Sequence, residues 1–276
     1  MNAKASFPVR RQDFDFAEVS RHWVDNDPFM THFFNSLSAL FPDGERFFVD
    51  SVRAVREQIK DPVLQKEIGA FIGQEAMHAK EHHNFNAGAK AQGFDIEQLE
   101  RWTNFLITLV KTVPFLNNKR CHLAGTVALE HFTGVLSARL MKRPDISEML
   151  EPTMRELWLW HCVEENEHKA VAFDTYRQLY GDNAADYVIR MSIMALATVF
   201  ILGAVHVFTA KLMSQDGQLL NLKSWGKGLW RIWGPKGMFS QNIIEYFDYF
   251  RPSFHPWDHD TKDLLAEYTA KLNLAR

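Results

Sequence analysis

A chain of 276 residues, 46% of them apolar and 13% aromatic, can bury a sizeable core and is excluded from the disordered and low-complexity classes. A formal net charge of -3, with no basic excess, removes electrostatic support for a nucleic-acid partner. Two cysteines, Cys121 and Cys162, rule out a disulfide scaffold or a cysteine zinc site, and Met1 to Arg11 holds no apolar core of signal-peptide length, so a reducing cytoplasmic compartment is expected.

Up to Pro28 the chain lacks a sustained helical period and reads as an arm, 1–27, with Asn26 or Asp27 available as a cap ahead of the proline. A short helix over 29–40 is expected to stop at Phe41-Pro42. A second then starts at Asp43, with Glu45 in its first turns and Phe48, Val49, Val52 and Val55 on one side. Asp61-Pro62 opens a long helix closed by Gly93, whose Ile68, Phe71, Ile72, Glu75, Ala79 and His82 recur at three- and four-residue steps and so place polar groups on the inward stripe. A linking helix over 97–112 precedes Pro114, and an amphipathic run with Glu130 near its middle ends before Pro144. Pro152 opens a helix of about eight turns expected to reach Gly181.

From Met191 to Ala210 no residue is charged, and Arg190 and Lys211 flank the run, which is long enough to cross a bilayer. Ser192, Thr198, Gly203 and His206 dilute it, so a fifth helix buried against the bundle is preferred to attachment at a membrane surface, and spanning is least favoured. Residues 217–244 contain no Asp or Glu, and interleave Lys223, Lys227, Arg231 and Lys236 with Trp225, Trp230 and Trp233, an interfacial composition. A short amphipathic helix from Asp258 is expected to pack on the body.

Two Glu-x-x-His pairs occur, Glu75 with His78 and Glu165 with His168. Three residues turn a helix by about 300°, so each pair projects a carboxylate and an imidazole from one face toward one metal ion. Glu45 and Glu130 stand on the helices before them, which makes a quasi-repeat of two helical hairpins. A four-helix bundle uses such a set, four carboxylates and two imidazoles, to hold two metal ions. Two divalent cations also balance a charge of about -4 that a dry core cannot tolerate. Hard oxygens with one nitrogen per ion favour iron, with manganese or zinc as alternatives. His161 and His82, each one turn from a ligand, are candidates for supporting groups or extra ligands. Glu164 and Glu167 point off the stripe, and Cys162 reads as core.

The ligand pattern resembles the ferritin-like di-iron carboxylate superfamily. "FPDGERFFVDSVR" together with "WHCVEENEHKAVAFD" is similar to a bacterial family of predicted metal-dependent hydrolases, over roughly residues 28–215. The superfamily resemblance implies a dinuclear centre and oxygen or redox chemistry; the family resemblance implies hydrolysis.

The expected fold is all-α: a ferritin-like four-helix bundle over 28–215 with an additional hydrophobic helix, and an aromatic-basic C-terminal extension over 216–276. The expected function is a di-iron oxidase or oxygenase acting on a small, apolar or lipid-like substrate. A metal-dependent hydrolase is the alternative, and iron storage or sequestration the second. An electron donor, peripheral membrane contact and homo-oligomer formation are further expectations the chain leaves open.

Overall fold

The computed structural model describes residues 6–181 and 183–274. Among them the only extended pairing is one isolated bridge, Val24 with Leu150. The helices are α1 (Pro28–Arg53), α2 (Pro62–Ala91), α3 (Ile96–Thr112), α4 (Lys119–Met141), α5 (Pro144–Ser147), α6 (Pro152–His168), α7 (Val171–Tyr180), α8 (Ala184–Gln215), α9 (Leu222–Trp233), α10 (Ile243–Asp248) and α11 (Lys262–Lys271).

Local chemistry sets the boundaries. Asp27 and Asp61 cap α1 and α2 through Met30 N and Val63 N, each ahead of a proline whose missing N–H costs nothing at a first turn. Gly93 (φ 94°) and Gly181 (φ 78°) follow α2 and α7 in a left-handed conformation that side chains rarely adopt.

α1 packs along α2, and α4 along α6 and α7, so the two hairpins stand together; α8 lies against α1 and α4, and α3 against α1. One apolar cluster gathers around Trp23, Phe34, Leu157 and Phe208, and a second around Phe48, Phe71, Val127 and Phe173. The buried carboxylates and imidazoles described below lie on the helices that carry both clusters.

Three expectations need correction. The break at Phe41-Pro42 does not occur: α1 runs through Pro42, and Glu45 lies well inside a 26-residue helix. The carbonyl that Pro42 leaves without a helical donor is that of Ser38, and Asn86 Nδ2 of α2 donates to it at 3.1 Å. The run from Pro152 to Gly181 is two helices, interrupted at Lys169 and Ala170 immediately after His168. Neither proline nor glycine marks that break. It coincides with a tertiary tether, in which Lys169 Nζ donates to His259 O (2.6 Å) and Thr261 Oγ1 (3.0 Å) and lies over the Trp257 ring.

The third correction concerns α8, which by length and composition could cross a membrane. Only 33% of its most apolar stretch is buried, so it is not the enclosed fifth helix the sequence favoured.

Candidate metal centre

The four staves bring Glu45 (α1), Glu75 and His78 (α2), Glu130 (α4), and Glu165 and His168 (α6) into one buried cluster. None is more than 1% exposed. Ligand-capable atoms of Glu75, Glu130, Glu165 and His168 lie within 4.8 Å of one another, as do those of Glu45, His78 and His161. Glu165 joins the two groups. Its Oε1 lies 3.0 Å from His161 Nε2, 3.6 Å from His78 Nδ1 and 3.7 Å from His168 Nε2.

Hydrogen bonds fix the imidazoles from outside. Gln74 Nε2 donates to Pro8 O and Glu167 Oε2, so its Oε1 accepts from His168 Nδ1 at 2.8 Å and leaves His168 Nε2 facing Glu75 (3.0 Å) and Glu130 (3.5 Å). Glu164 accepts from His78 Nε2 at 3.0 Å, leaving His78 Nδ1 facing Glu165. Arg10, on the N-terminal arm, donates to both Glu164 and Glu167.

His161 is held by a longer chain. Asn86 Nδ2 donates to Ser38 O and to Glu100, so Asn86 Oδ1 accepts from Ser38 Oγ. Ser38 Oγ therefore accepts from His82 Nδ1 (2.8 Å). The other nitrogen of neutral His82 then accepts from His161 Nδ1 (2.7 Å). His161 Nε2 is left as a lone pair aimed at Glu165 and, 3.8 Å away, Glu45.

Three imidazoles thus turn their unprotonated nitrogens toward carboxylate oxygens, an arrangement that is repulsive unless a proton or a metal ion lies between them. Both oxygens of Glu45, Glu75 and Glu130, Oε2 of Glu165, Nδ1 of His78 and Nε2 of His168 are buried with no hydrogen-bond partner. Orphaned donor atoms from facing helices, each oriented by an outer hydrogen bond, are what a carboxylate–histidine metal site requires. The residues present fit the group.

Electrostatics agree. Burial first, and the neighbouring carboxylates second, push Glu45 well above the usual carboxylate range. Burial raises Glu130 and Glu75 too, against the pull of His168. Burial opposes charge at Glu165, yet the adjacent His161 and His168 outweigh it and hold that carboxyl well below the usual range. Burial likewise opposes charge on His168, but Glu130, Glu165 and Glu75 lift it well above an ordinary imidazole. Burial and then His161 depress His78 and His82. Without a metal ion the cluster needs protons to stay together; a bound cation takes their place.

A cavity of about 200 Å³ adjoins the centre. Its walls come from α1, α3, α4, α6 and α8, with Phe33, Leu37, Leu106, Leu129 and Phe200 among them, and its only acidic or imidazole members are Glu45 and His161. Cys162 also touches it, with a thiol that burial pushes up to about 12, a core group and not a nucleophile.

Sequence reasoning placed six of these residues and flagged His161 and His82. It missed Arg10, Gln74 and Ser38, and gave Glu164 no definite part. A Glu at position 164, next to a candidate ligand, carries no periodic signal, and Arg10 reaches the site by a contact 154 residues apart in sequence.

The model of a family described as "Predicted metal-dependent hydrolase" matches residues 8–260, from just before Arg10 to just beyond His259. No curated protein and no solved structure matches the chain. With that family's model covering most of its length, and a buried cluster of carboxylates and imidazoles at its centre, the chain belongs to the family of predicted metal-dependent hydrolases.

Proposed function

We propose that the protein is a dinuclear-metal enzyme that oxidises an apolar, alkyl-chain substrate. Glu45, Glu75, His78, Glu130, Glu165 and His168 would hold the ions, with His161 Nε2 as a further nitrogen ligand. The observation that carries this reading is the hydrocarbon-lined cavity ending at Glu45 and His161. Its walls offer no cation for a phosphoryl group and no cluster of donors for a developing oxyanion, whereas they suit a chain of CH₂ groups.

Two iron ions, if held by these residues, would supply oxygen activation. The chain does the rest. Glu165 Oε1 lies within 3.7 Å of imidazoles from both ligand groups and links them; Gln74, Glu164 and His82 keep the imidazoles turned inward; and the cavity walls keep water from the reacting carbon. The chain His161–His82–Ser38–Asn86–Glu100 gives a proton on His161 Nδ1 a hydrogen-bonded connection to a half-buried carboxylate.

The family's description favours a second reading, metal-assisted hydrolysis of an ester or amide bearing an apolar chain, with the same residues holding ions that activate water. One comparison separates the two. Protein loaded anaerobically with about two ferrous ions per chain should consume oxygen rapidly when exposed to air, and Glu130→Ala should lose that rapid phase. Zinc-loaded protein that cleaves acyl esters, with iron-loaded protein indifferent to oxygen, would install hydrolysis instead.

A further inference from the structure

The exposed large apolar side chains among the described residues are unevenly placed: apart from Val9, Val63 and Phe115, all lie on α3, on α8 or within 219–247. α3 carries no charge from Trp102 to Val110, and α8 none from Met191 to Ala210. Arg101 and Lys111 bracket the first run, Arg190 and Lys211 the second. The helices meet where Trp102 packs 6.2 Å from Phe208 and Lys211 Nζ lies 4.9 Å over the Trp102 ring. Farther along, Val110 and Leu196 line the cavity and are also 39% and 52% exposed, so the cavity opens between α3 and α8.

α9 and α10 border α8, through Trp233 Nε1 donating to His206 Nε2 (3.0 Å) and Tyr246 Oη paired with Thr198 Oγ1 (2.8 Å). They extend the apolar surface with Leu222, Trp230 and Ile244, all more than two-thirds exposed. An apolar surface of this extent marks an interaction site.

Its charge decides the partner. Lys223 and Lys236 are exposed and form no ion pair among the described residues, Lys227 comes only within 3.8 Å of Asp27, and no carboxylate lies within 217–244. Lysines beside tryptophans match the level where anionic headgroups meet acyl chains. A two-fold pairing of copies through this face would instead set cations against cations. Because α8 is packed against α1 and α4 on its inner side, it lies along such a surface and does not cross it.

We propose that α3, α8, α9 and α10 together dock on an anionic phospholipid bilayer, with the mouth between Val110 and Leu196 opening into the acyl-chain layer. The docking stands on the surface alone. The further step, passage of an alkyl chain from the bilayer to Glu45 and His161, rests on the function proposed above.

Flotation of the full chain with vesicles of phosphatidylcholine, alone or mixed with phosphatidylglycerol, tests the docking. Binding should be strong only with the anionic lipid and should fall as salt rises. The double variant Lys223→Glu/Lys236→Glu should bind at least about 30-fold more weakly. Val199→Glu and Ile244→Glu, at exposed positions, should lose binding while circular dichroism and metal content stay at wild-type values. His168→Ala should bind vesicles normally, so a failed metal centre and a failed docking surface are told apart. The proposal is overturned if the wild type stays with neither vesicle at low salt, if it binds both lipids equally, or if the face proves to hold a second copy, seen as a dimer in vesicle-free solution that Val199→Glu makes monomeric.

Discussion

Nε2 of His82 lies 2.7 Å from Nδ1 of His161, and this contact decides which side of His161 is free. Because Ser38 Oγ takes the Nδ1 proton of His82, His82 can only accept from His161, whose Nε2 then faces Glu165 and Glu45 as a lone pair. His82→Ala should therefore weaken metal affinity by about 10- to 100-fold without removing any of the carboxylate ligands. His82→Gln, whose amide oxygen can accept the same proton, should retain most of it. A chelator-competition titration of the three proteins reads the difference directly, and equal affinities would remove His161 from the ligand set.

Four carboxylates buried together are a liability without a cation among them. Removing the metal should lower the thermal midpoint, and adding it back should restore stability in proportion to the logarithm of free metal. Glu130→Gln is expected to invert the usual effect of a core substitution. It deletes one buried, hydrogen-bond-free carboxylate beside Glu165 and Glu75, so the chelator-treated variant should be more stable than chelator-treated wild type by about 1–3 kcal/mol. The same variant should gain less on metal addition. Urea denaturation with and without chelator gives both numbers.

The quasi-repeat of Glu and Glu-x-x-His was legible because a helix converts fixed spacing into a shared face, and helices dominate this chain. The interruption after His168 was not legible, because Lys169 is pulled by His259 and Thr261, residues about ninety positions away whose approach no local propensity encodes. The same holds for Glu164. Read from helical geometry alone it points off the metal stripe, and it does, but it points at His78, which α2 brings alongside. For α8, composition could state that the helix is apolar; only packing could state that one side of it is left open. Sequence periodicity reports which residues share a face and is silent on what that face meets.

Another buried imidazole, on α1 outside the carboxylate–histidine cluster, makes stability depend on pH. His32 Nε2 donates to Asp216 at 3.1 Å and its Nδ1 accepts from Asn35, so it is held neutral; His22 and Arg21 share the same carboxylate. Burial lowers its pKa to about 4 against the attraction of Asp216. Between about pH 6.5 and 4 the unfolded chain binds a proton there that the folded chain refuses, so stability falls as pH falls through that window and is fully recovered above it. The loss should reach about 3 kcal/mol. Asp216, itself lowered, loses its contribution only in more acid solution. Denaturation midpoints at pH 7 and 5 should differ clearly for wild type and less for His32→Gln.

The last prediction concerns how α1 passes Pro42 without breaking. In an ordinary helix the N–H at position 42 would bond the carbonyl of Ser38; here Asn86 Nδ2 does so from α2. Asn86→Ala should strand that buried carbonyl, along with the Ser38 hydroxyl that Asn86 Oδ1 accepts, at a cost of about 1–3 kcal/mol. It should also loosen His82, which hangs from the same hydroxyl, so metal affinity should fall with stability. Pro42→Ala alone restores a backbone donor to Ser38 and suits a helix interior. The two changes share one acceptor, so they should not add: Asn86→Ala should cost less when combined with Pro42→Ala, by at least about 0.5 kcal/mol. Metal affinity should recover less than stability, because a backbone N–H at position 42 satisfies the Ser38 carbonyl but cannot accept from its hydroxyl. Strict additivity in the double-mutant cycle would show that Ser38 O is satisfied in some other way and that the continuity of α1 has a different cause.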